Sequence, residues 1–164
     1  MGKSKKSLPN SENGENLDTS EVTEASTAAL SYEEQLNYVN VISSPMAPKK
    51  LAKRLYKLIK KASEHKGFLI HGLKNVQSSI RKGETGIAIF AGDVTPIEVM
   101  CHMPAVCEEK DIPYVYTPSR DSLGSAMGVK RSCLMMLIKK HADYQELYDD
   151  CTERIKKISV TPLL

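Results

Sequence analysis

Three stretches of the chain repeat their apolar residues at the spacing of an amphipathic α-helix. The first begins after Pro48, a residue that suits a helix start, and it turns its lysines and arginines to the face opposite the apolar one. The second opens after Gly72 and ends at Gly83, and the third follows the cap-like pair Asp143 and Glu146. The predicted core faces are Leu51, Leu55, Leu58, Ile59 and Ala62, then Leu73, Val76 and Ile80, and finally Tyr144, Leu147, Tyr148, Cys151, Ile155 and Ile158.

Short apolar runs between these helices predict strands. The clearest is residues 86–91, whose uninterrupted apolar character is typical of a central strand covered on both faces. Three further strands are predicted at residues 68–71, 113–117 and 134–138. Strands and helices alternate along the chain, which predicts an α/β fold, a three-layer helix-sheet-helix sandwich.

The N-terminal part of the chain has a different composition. Residues 1–31 are rich in Ser, Glu, Asn and Thr, and they hold too few apolar residues to offset the entropy cost of ordering. We therefore expect a disordered tail, 1–31, followed by one domain, 32–164, which begins with a short helical turn at residues 32–38.

Capping residues predict two shorter helices. Thr95, Pro96 and Glu98 follow the pattern of a capping box, which predicts a helix that runs towards Lys110 with a kink at Pro104. A second start signal, at Ser119, predicts a short helix that Gly128 ends.

The small residues from Gly124 to Gly128 favour close packing of that last helix against its neighbours. Their spacing fits neither GxxxxGK[ST] nor GxGxxG. A nucleotide-binding enzyme, which the alternating architecture also permits, is therefore the less favoured class.

Charge is segregated along the chain. Residues 49–82 hold eleven Lys or Arg and one acid, net +10, whereas residues 1–47 carry −4 and residues 83–164 carry −3. A basic block on an otherwise mild protein is the electrostatic pattern of a nucleic-acid binder, and a solvated helix face is the alternative interpretation.

The positions of three side chains within the second predicted helix strengthen the nucleic-acid interpretation. Lys74 falls in the first turn, where a cation opposes the helix dipole unless a bound anion offsets it. Ser78 and Arg81 share its stripe at i+4 and i+7, so the three side chains and the free amides of the helix start form a candidate phosphate site.

The sequence gives little support for a membrane span, a metal site or a catalytic site. No run approaches the roughly 20 apolar residues of a membrane span, and the N-terminus lacks the apolar core of a signal peptide, so we expect the cytosol or nucleus. Cys101, His102 and Cys107 lack the spacing of a zinc site, and buried reduced thiols are the expected alternative. Glu98 and His102 are a possible acid and base pair, but no nucleophile is identifiable beside them.

A series of short motifs then follows the order of one known family. They are Gly72 before the second helix, Ile87-Ala-Ile-Phe-Ala-Gly-Asp93, Pro96-Ile-Glu98, His102-Met-Pro104, Cys107-Glu-Glu-Lys110, Pro113-Tyr-Val-Tyr116, and Leu123-Gly124 with Gly128. On these motifs the chain resembles the kink-turn RNA-binding superfamily of ribosomal and small ribonucleoprotein subunits over residues 32–158. Within it, residues 55–62, 82–84 and 91–93 look most like the eukaryotic core protein of box H/ACA small nucleolar ribonucleoproteins.

The resemblance implies a non-catalytic RNA-binding subunit, and we expect it to hold no metal or cofactor. Its implied partners are an H/ACA guide RNA, a pseudouridine synthase that acts as the catalyst, and two further small core proteins. The implied role is RNA-guided pseudouridylation of rRNA in ribosome biogenesis, in the nucleus and nucleolus, with telomerase as a second assembly in vertebrate relatives. We expect a monomer in isolation, with no membrane partner.

The resemblance also assigns site residues. The family recognises kink-turns through an Asn-Glu-x-x-Lys motif, and the matching positions here are Lys74, Asn75 and Ser78. The glutamate and lysine of the motif are therefore replaced by uncharged residues, which removes their charge-assisted contacts. The positions that surround the flipped nucleotide are Thr95, Val99, Arg120, Arg131 and Leu134. The complete predicted RNA-binding set is Gly72, Lys74, Asn75, Ser78, Arg81, Lys82, Thr95, Val99, Arg120, Lys130, Arg131 and Leu134.

Two alternatives stay open at this point. One is another member of the superfamily, a ribosomal or spliceosomal kink-turn binder, which the missing Glu and Lys disfavour. The other is a protein-interaction scaffold whose basic face has no RNA partner.

Overall fold

A computed structural model describes residues 30–159 of the chain. The predicted tail lies outside the described residues except for its last two, Leu30 and Ser31, and its disorder stays a prediction. Within the described range the α-helices are α1 (Tyr32–Leu36), α2 (Lys49–Ser63), α3 (Leu73–Arg81), α4 (Met103–Glu109), α5 (Arg120–Ala126) and α6 (Gln145–Ser159). The strands are β1 (Leu69–His71), β2 (Ile87–Ala91), β3 (Tyr114–Thr117) and β4 (Met135–Ile138). No helix in this part of the chain is long and apolar enough to cross a membrane.

The four strands form one mixed sheet in the order β1-β4-β2-β3. β2 pairs with β3 in parallel and with β4 in antiparallel, and β4 also pairs antiparallel with β1. Every residue of β2 and β4 is buried, so helices must cover both faces of the sheet. α2, α5 and α6 pack together in one layer, and α3 packs against β1 and β4 from the other, which confirms the predicted sandwich.

The predicted core faces of the helices are confirmed. On α2 the five predicted residues are at most 2 % exposed, and Ala52 joins them. Val76 and Ile80 of α3 are buried likewise, with Leu73 packed at the margin of the core. On α6, Cys151 and Ile155 are fully buried, and the neighbouring apolar residues cover the rim of the core.

The helix predicted from Thr95 to Lys110 is wrong in its first half. A 3-10 turn at Ile97–Val99 takes its place, with Pro96 rather than Thr95 at the N-cap and no side-chain cap. The α-helix begins only at Met103, because Pro104 lacks an amide hydrogen and is tolerated in a first turn but not in a helix interior. Glu98 therefore has no capping role.

The cap assigned to Asp143 is also wrong. His141 precedes a 3-10 turn at Ala142–Tyr144, and its Nδ1 accepts the amide hydrogen of Asp143 at 3.2 Å. The ring nitrogen occupies the place that the carboxylate was predicted to fill, so α6 continues directly from this turn.

The segment before α2 covers the edge of β3. Met46 forms a parallel bridge to Tyr116, with hydrogen bonds from the Ala47 amide to Tyr116 O and from the Tyr116 amide to Pro45 O, both 2.9 Å. The phenol of Tyr32 donates to the Ala47 carbonyl, so α1 is held against the same edge. An exposed strand edge invites pairing with other chains, and this segment blocks it.

Candidate nucleic-acid interface

The start of α3 carries backbone amides that no side chain caps. Gly72 takes φ +88°, a conformation that favours glycine, and its amide donates to Met135 O at 3.1 Å, which fixes the helix start against β4. No side chain caps the helix, so its first amides stay available. Lys74 and Asn75 are exposed in this first turn, and Asn75 Nδ2 donates to His71 O at 3.2 Å. The arrangement offers helix amides and one cation to a phosphate.

The other end of α3 is closed by a Schellman motif. The Glu84 amide donates to Ser79 O at 3.0 Å and the Gly83 amide to Ile80 O at 3.1 Å, with Gly83 at φ +85°. This end of the helix faces the far end of β4, because Lys139, which follows that strand, pairs with Glu84 at 2.8 Å. The pairing also holds the pKa of Glu84 below its ordinary value, mainly through the hydrogen bond from Lys139.

Two predicted residues therefore lie away from the helix start. Arg81 and Lys82 are exposed at the C-terminal end of α3, separated from Lys74 by about 10 Å at 1.5 Å per residue. Ser78 lies between the two ends and is exposed. The structure thus spreads this predicted stripe along the whole helix.

The loop after β2 meets the start of α5. Asp93 Oδ1 accepts the backbone amide of Arg120 at 2.9 Å, while Ser119 Oγ accepts the amides of Asp121 and Ser122. Burial raises the pKa of Asp93 above its ordinary value of 3.8, against the lowering effect of the Arg120 amide. The predicted cap at Ser119 is confirmed, and Asp93 fixes the backbone from which the exposed Arg120 side chain projects.

Thr95 and Val99 belong to the same loop. Thr95 is exposed, and Val99 is half-buried at the end of the 3-10 turn. They present a hydroxyl and an aliphatic side chain on the segment that follows β2. Such a mixture suits contact with a base and its sugar rather than with phosphate alone.

The loop before β4 carries the exposed cations Lys130 and Arg131. A second Schellman motif starts it, with the Val129 amide donating to Gly124 O at 3.1 Å and Gly128 at φ +78°. The Cys133 amide then donates to Arg120 O at 3.1 Å, which ties the loop to the N-terminus of α5. The loop is thus fixed at both ends.

Three segments converge at one edge of the sheet, namely the start of α3, the loop after β2 and the loop before β4. The Ala91 amide donates to Leu134 O at 2.8 Å, and the adjacent Met135 carbonyl receives the Gly72 amide, so the end of β2, the start of β4 and the start of α3 are neighbours. We call the exposed polar surface that they carry the basic edge. It consists of Lys74, Asn75, Arg120, Lys130 and Arg131. Leu134 lies half-buried beneath it.

A groove of about 990 Å³ adjoins the basic edge and was not predicted from the sequence. Lys130 and Arg131 line it together with Tyr38, Tyr56 and Val129. Tyr38 is 67 % exposed and Val129 is 43 % exposed, which leaves an aromatic ring and an aliphatic side chain open to solvent beside two cations. Proteins stack unpaired bases on such rings. Sequence reasoning missed Tyr38 because nothing in the pattern placed the segment before α2 near the loop before β4.

The basic run of residues 49–82 divides between the two helical layers. Lys49 pairs with Glu33 at 3.9 Å, and Arg54 pairs with Asp150, so part of the charge of α2 is balanced within the chain. α2 lies in the layer with α6, across the sheet from α3. The run therefore does not form one continuous phosphate-binding surface.

Glu98 and His102, the pair considered for catalysis, lie on different elements. Gln77 Nε2 donates to His102 Nε2 at 2.6 Å, and Glu98 lies on a separate 3-10 turn. Cys107 is buried, and burial raises the pKa of its thiol to about 12, whereas Cys101 is exposed, contrary to the predicted burial.

Comparison with known proteins gives consistent results. The family model of the ribosomal protein L7Ae/L30e/S12e/Gadd45 family matches residues 53–148. The chain is 58 % identical over 130 residues to the H/ACA ribonucleoprotein complex subunit 2 of Drosophila melanogaster, with 79 % of this chain and 81 % of that protein covered. It is 49 % identical over 132 residues to an H/ACA ribonucleoprotein complex subunit 2-like protein of Xenopus laevis, with 80 % and 88 % covered. Among solved structures, the Giardia lamblia 15.5kD RNA binding protein matches with a TM-score of 0.69 at 25 % identity, covering 73 % of this chain and 99 % of that one.

Proposed function

Because this chain belongs to the ribosomal protein L7Ae/L30e/S12e/Gadd45 family, we propose that it is a non-catalytic RNA-binding subunit of an H/ACA ribonucleoprotein. The names of the Drosophila and Xenopus relatives support the assembly, and the name of the Giardia structural relative supports RNA as the ligand. The finer statements follow from that assignment. The subunit would serve RNA-guided pseudouridylation of rRNA in the nucleolus, beside a pseudouridine synthase and two small core proteins, and would take part in telomerase where that assembly uses it.

One observation carries the RNA-binding proposal. The start of α3 and the loop before β4 are joined through β4 itself, which brings the open amides near Lys74 to the same edge as Arg131. Neither cation has an ion-pair partner in residues 30–159. Unpaired cations and open amides at one edge are suited to the backbone of a bent RNA stem.

We propose that this subunit gains most of its RNA affinity from contacts with the RNA backbone and little from recognition of the bases. Asn75 has one carbonyl acceptor and no charge, and Ser78 carries no cation, so the charge-assisted hydrogen bonds of the family's motif are absent at these positions. Backbone contacts from Lys74, Arg120 and Arg131 then supply affinity. The protein partners supply placement and selectivity.

The groove beside the basic edge gives this mode one base contact. A nucleotide that leaves the stem at the basic edge reaches Tyr38 and Val129, which are exposed beside Lys130. Stacking on a tyrosine ring tolerates any base, so this contact adds affinity without sequence preference.

The test compares a kink-turn RNA with the same RNA whose sheared pairs are replaced by Watson-Crick pairs, at low and physiological salt. We expect similar affinities for both, each falling with salt by a slope of about 0.7 to 0.9 per phosphate neutralised. An RNA affinity that does not change with salt contradicts binding through contacts with the RNA backbone.

A second candidate is an independent kink-turn binder of the ribosome or spliceosome. The match to the Giardia 15.5kD RNA binding protein, which covers 99 % of that chain, favours it. A large preference for the kink-turn RNA in the same experiment would support this candidate, because it would mean that Asn75 and Ser78 still read the motif. RNA recovered with the protein from cells separates the two assemblies.

A further inference from the structure

Two histidines and an aspartate meet at the end of the sheet opposite the basic edge. β1 and β4 run antiparallel, with Gly72 bonded to Met135 at the basic edge and the Lys139 amide bonded to Phe68 O, 2.8 Å, at the other end. His65, which follows α2, and His141, which follows β4, lie at this second end. Their rings stack with centroids 4.2 Å apart and planes at 25°.

The carboxylate of Asp143 faces both rings. Its Oδ2 lies 3.0 Å from His65 Nε2 and 3.6 Å from His141 Nδ1. In a tetrahedral site with metal-ligand distances near 2.0 to 2.1 Å, neighbouring ligand atoms are about 3.4 Å apart. The two carboxylate-to-nitrogen distances lie on either side of that value. All three potential ligand atoms are within 4.8 Å of one another, and one imidazole must turn out of the stack so that a single ion lies in the plane of both rings.

The surroundings hold the rings in place. The Phe68 ring packs edge-on against the His141 ring with centroids 4.5 Å apart. The Tyr144 ring stacks on the same His141 ring with centroids 5.6 Å apart. Tyr144 is itself buried, and its hydroxyl donates to Lys139 O at 2.7 Å. These contacts keep the two imidazoles close to each other before an ion binds.

The site is also open to an entering ion. The side chains of His65 and His141 are 28 % and 25 % exposed, and that of Asp143 is 62 % exposed. Binding takes the Nδ1 lone pair of His141 from the Asp143 amide, and water replaces that hydrogen bond because the residue faces solvent. Three protein ligands leave a fourth position for water.

We propose that His65, His141 and Asp143 bind one divalent transition-metal ion, of which zinc is the natural test case. Two imidazoles and a carboxylate are ligands that suit zinc, copper and nickel, whereas magnesium and calcium prefer all-oxygen sites. The bound ion clips the end of α2 to the turn that opens α6, two segments 76 residues apart in the chain. It stabilises the fold at a distance from the basic edge and leaves RNA contacts unchanged.

The experiment uses the full chain with Cys101→Ser as background, because an exposed thiol binds zinc by itself. His65→Gln keeps a donor towards Asp143 and removes a metal ligand, and Asp143→Asn removes the anionic ligand. His71→Gln is the matched control, since His71 is exposed on β1 outside the cluster. Metal-free protein is titrated with Zn²⁺ by calorimetry, and Co²⁺ is added in parallel to record the visible absorption of a tetrahedral site.

We expect one equivalent of zinc in the background protein and in the His71→Gln control, with a rise in melting temperature. His65→Gln and Asp143→Asn should each weaken zinc binding by at least about tenfold and remove the temperature rise. Equal zinc affinity in all four proteins, or no binding in any of them, overturns the proposal. RNA affinity measured with and without zinc is a separate readout, and a change in it contradicts the stated separation from the basic edge.

Discussion

Gly124 of α5 lies directly against the backbone of Arg131. A Cβ added to Gly124 would stand 1.9 Å from the Arg131 carbonyl oxygen and 3.0 Å from its carbonyl carbon. Real Cβ atoms do not approach backbone that closely, so only glycine allows α5 and the loop before β4 to meet here. The contact sets the position from which the Arg131 side chain reaches the basic edge.

We therefore expect Gly124→Ala to displace the loop before β4 and to reduce both stability and RNA affinity. Overpacking of a tight contact costs about 1 to 3 kcal/mol, and this contact is with backbone that cannot rotate away. Urea unfolding and RNA titration at fixed salt measure the two effects. Ser125→Ala is the matched control, because Ser125 is exposed on the same helix and its change should leave both quantities within about 0.5 kcal/mol. A Gly124→Ala protein with unchanged stability and affinity would contradict the role given to this contact.

Arg131→Ala should weaken RNA binding without unfolding the protein. The side chain is exposed and unpaired among the described residues, so its loss removes an RNA contact and little packing. We expect binding weaker by about 1 to 3 kcal/mol and a salt slope smaller by about 0.7 to 0.9. Lys156→Ala, an exposed cation on α6, is the control for loss of one charge. If the thermal melt of Arg131→Ala shows lost structure, the residue has a packing role instead.

The sequence predicted most of the architecture because local patterns determine it. The strand at residues 86–91 and the cap at Ser119 were both identified from apolar runs and capping chemistry alone. The helix start assigned to Thr95 failed because the capping-box pattern is local, whereas Pro104 decides where the helix can continue.

The candidate site was less predictable, because chain topology rather than local pattern brings its parts together. Lys74 and Arg131 are 57 residues apart in the chain, and the hydrogen bond from the Gly72 amide to Met135 O links the segments that carry them. The resemblance to a known family supplied that link, and charge alone did not. The groove beside Tyr38 and the cluster at His65 depend on still longer-range contacts and left no signal in the sequence.

Asp93 should make stability depend on pH in a direction that a variant can reveal. Burial is the largest influence on this carboxyl and raises its pKa above 3.8, so folding favours the protonated form. Its stabilising contribution is therefore present below the unfolded pKa and is lost as the pH rises through the folded pKa. Asp93→Asn keeps an acceptor for the Arg120 amide and removes the charge, so it should raise the melting temperature at neutral pH relative to the original chain.

The difference between the two proteins should shrink as the pH falls through the folded pKa of Asp93 towards 3.8, because the carboxyl of the native protein then becomes uncharged like the asparagine side chain. Thermal melts across this range measure it. Asp93→Ala is the control for the hydrogen bond and should be less stable than Asp93→Asn at every pH. A difference between the original chain and Asp93→Asn that does not change with pH would show that the charge has no part in it.

The double change Asn75→Glu with Ser78→Lys should restore preference for kink-turn RNA. A glutamate at position 75 accepts charge-assisted hydrogen bonds from the guanines of sheared pairs, and a lysine at position 78 adds the cation of the family's motif. The new carboxylate cannot donate to His71 O as Asn75 does, so we expect a small loss of stability, about 0.5 to 1.5 kcal/mol. The ratio of affinities for the kink-turn RNA and its Watson-Crick counterpart should rise at least about fivefold, or about 1 kcal/mol.

Ser78→Lys alone is the matched control, because it adds the same cation without the acceptor. It should strengthen binding to both RNAs by similar factors and leave their ratio unchanged, since a single lysine contacts phosphate whatever the base pairs are. An unchanged ratio in the double variant would mean that the start of α3 does not face the sheared pairs. The bound stem would then have to lie along the rest of the basic edge, nearer to Arg120 and Arg131.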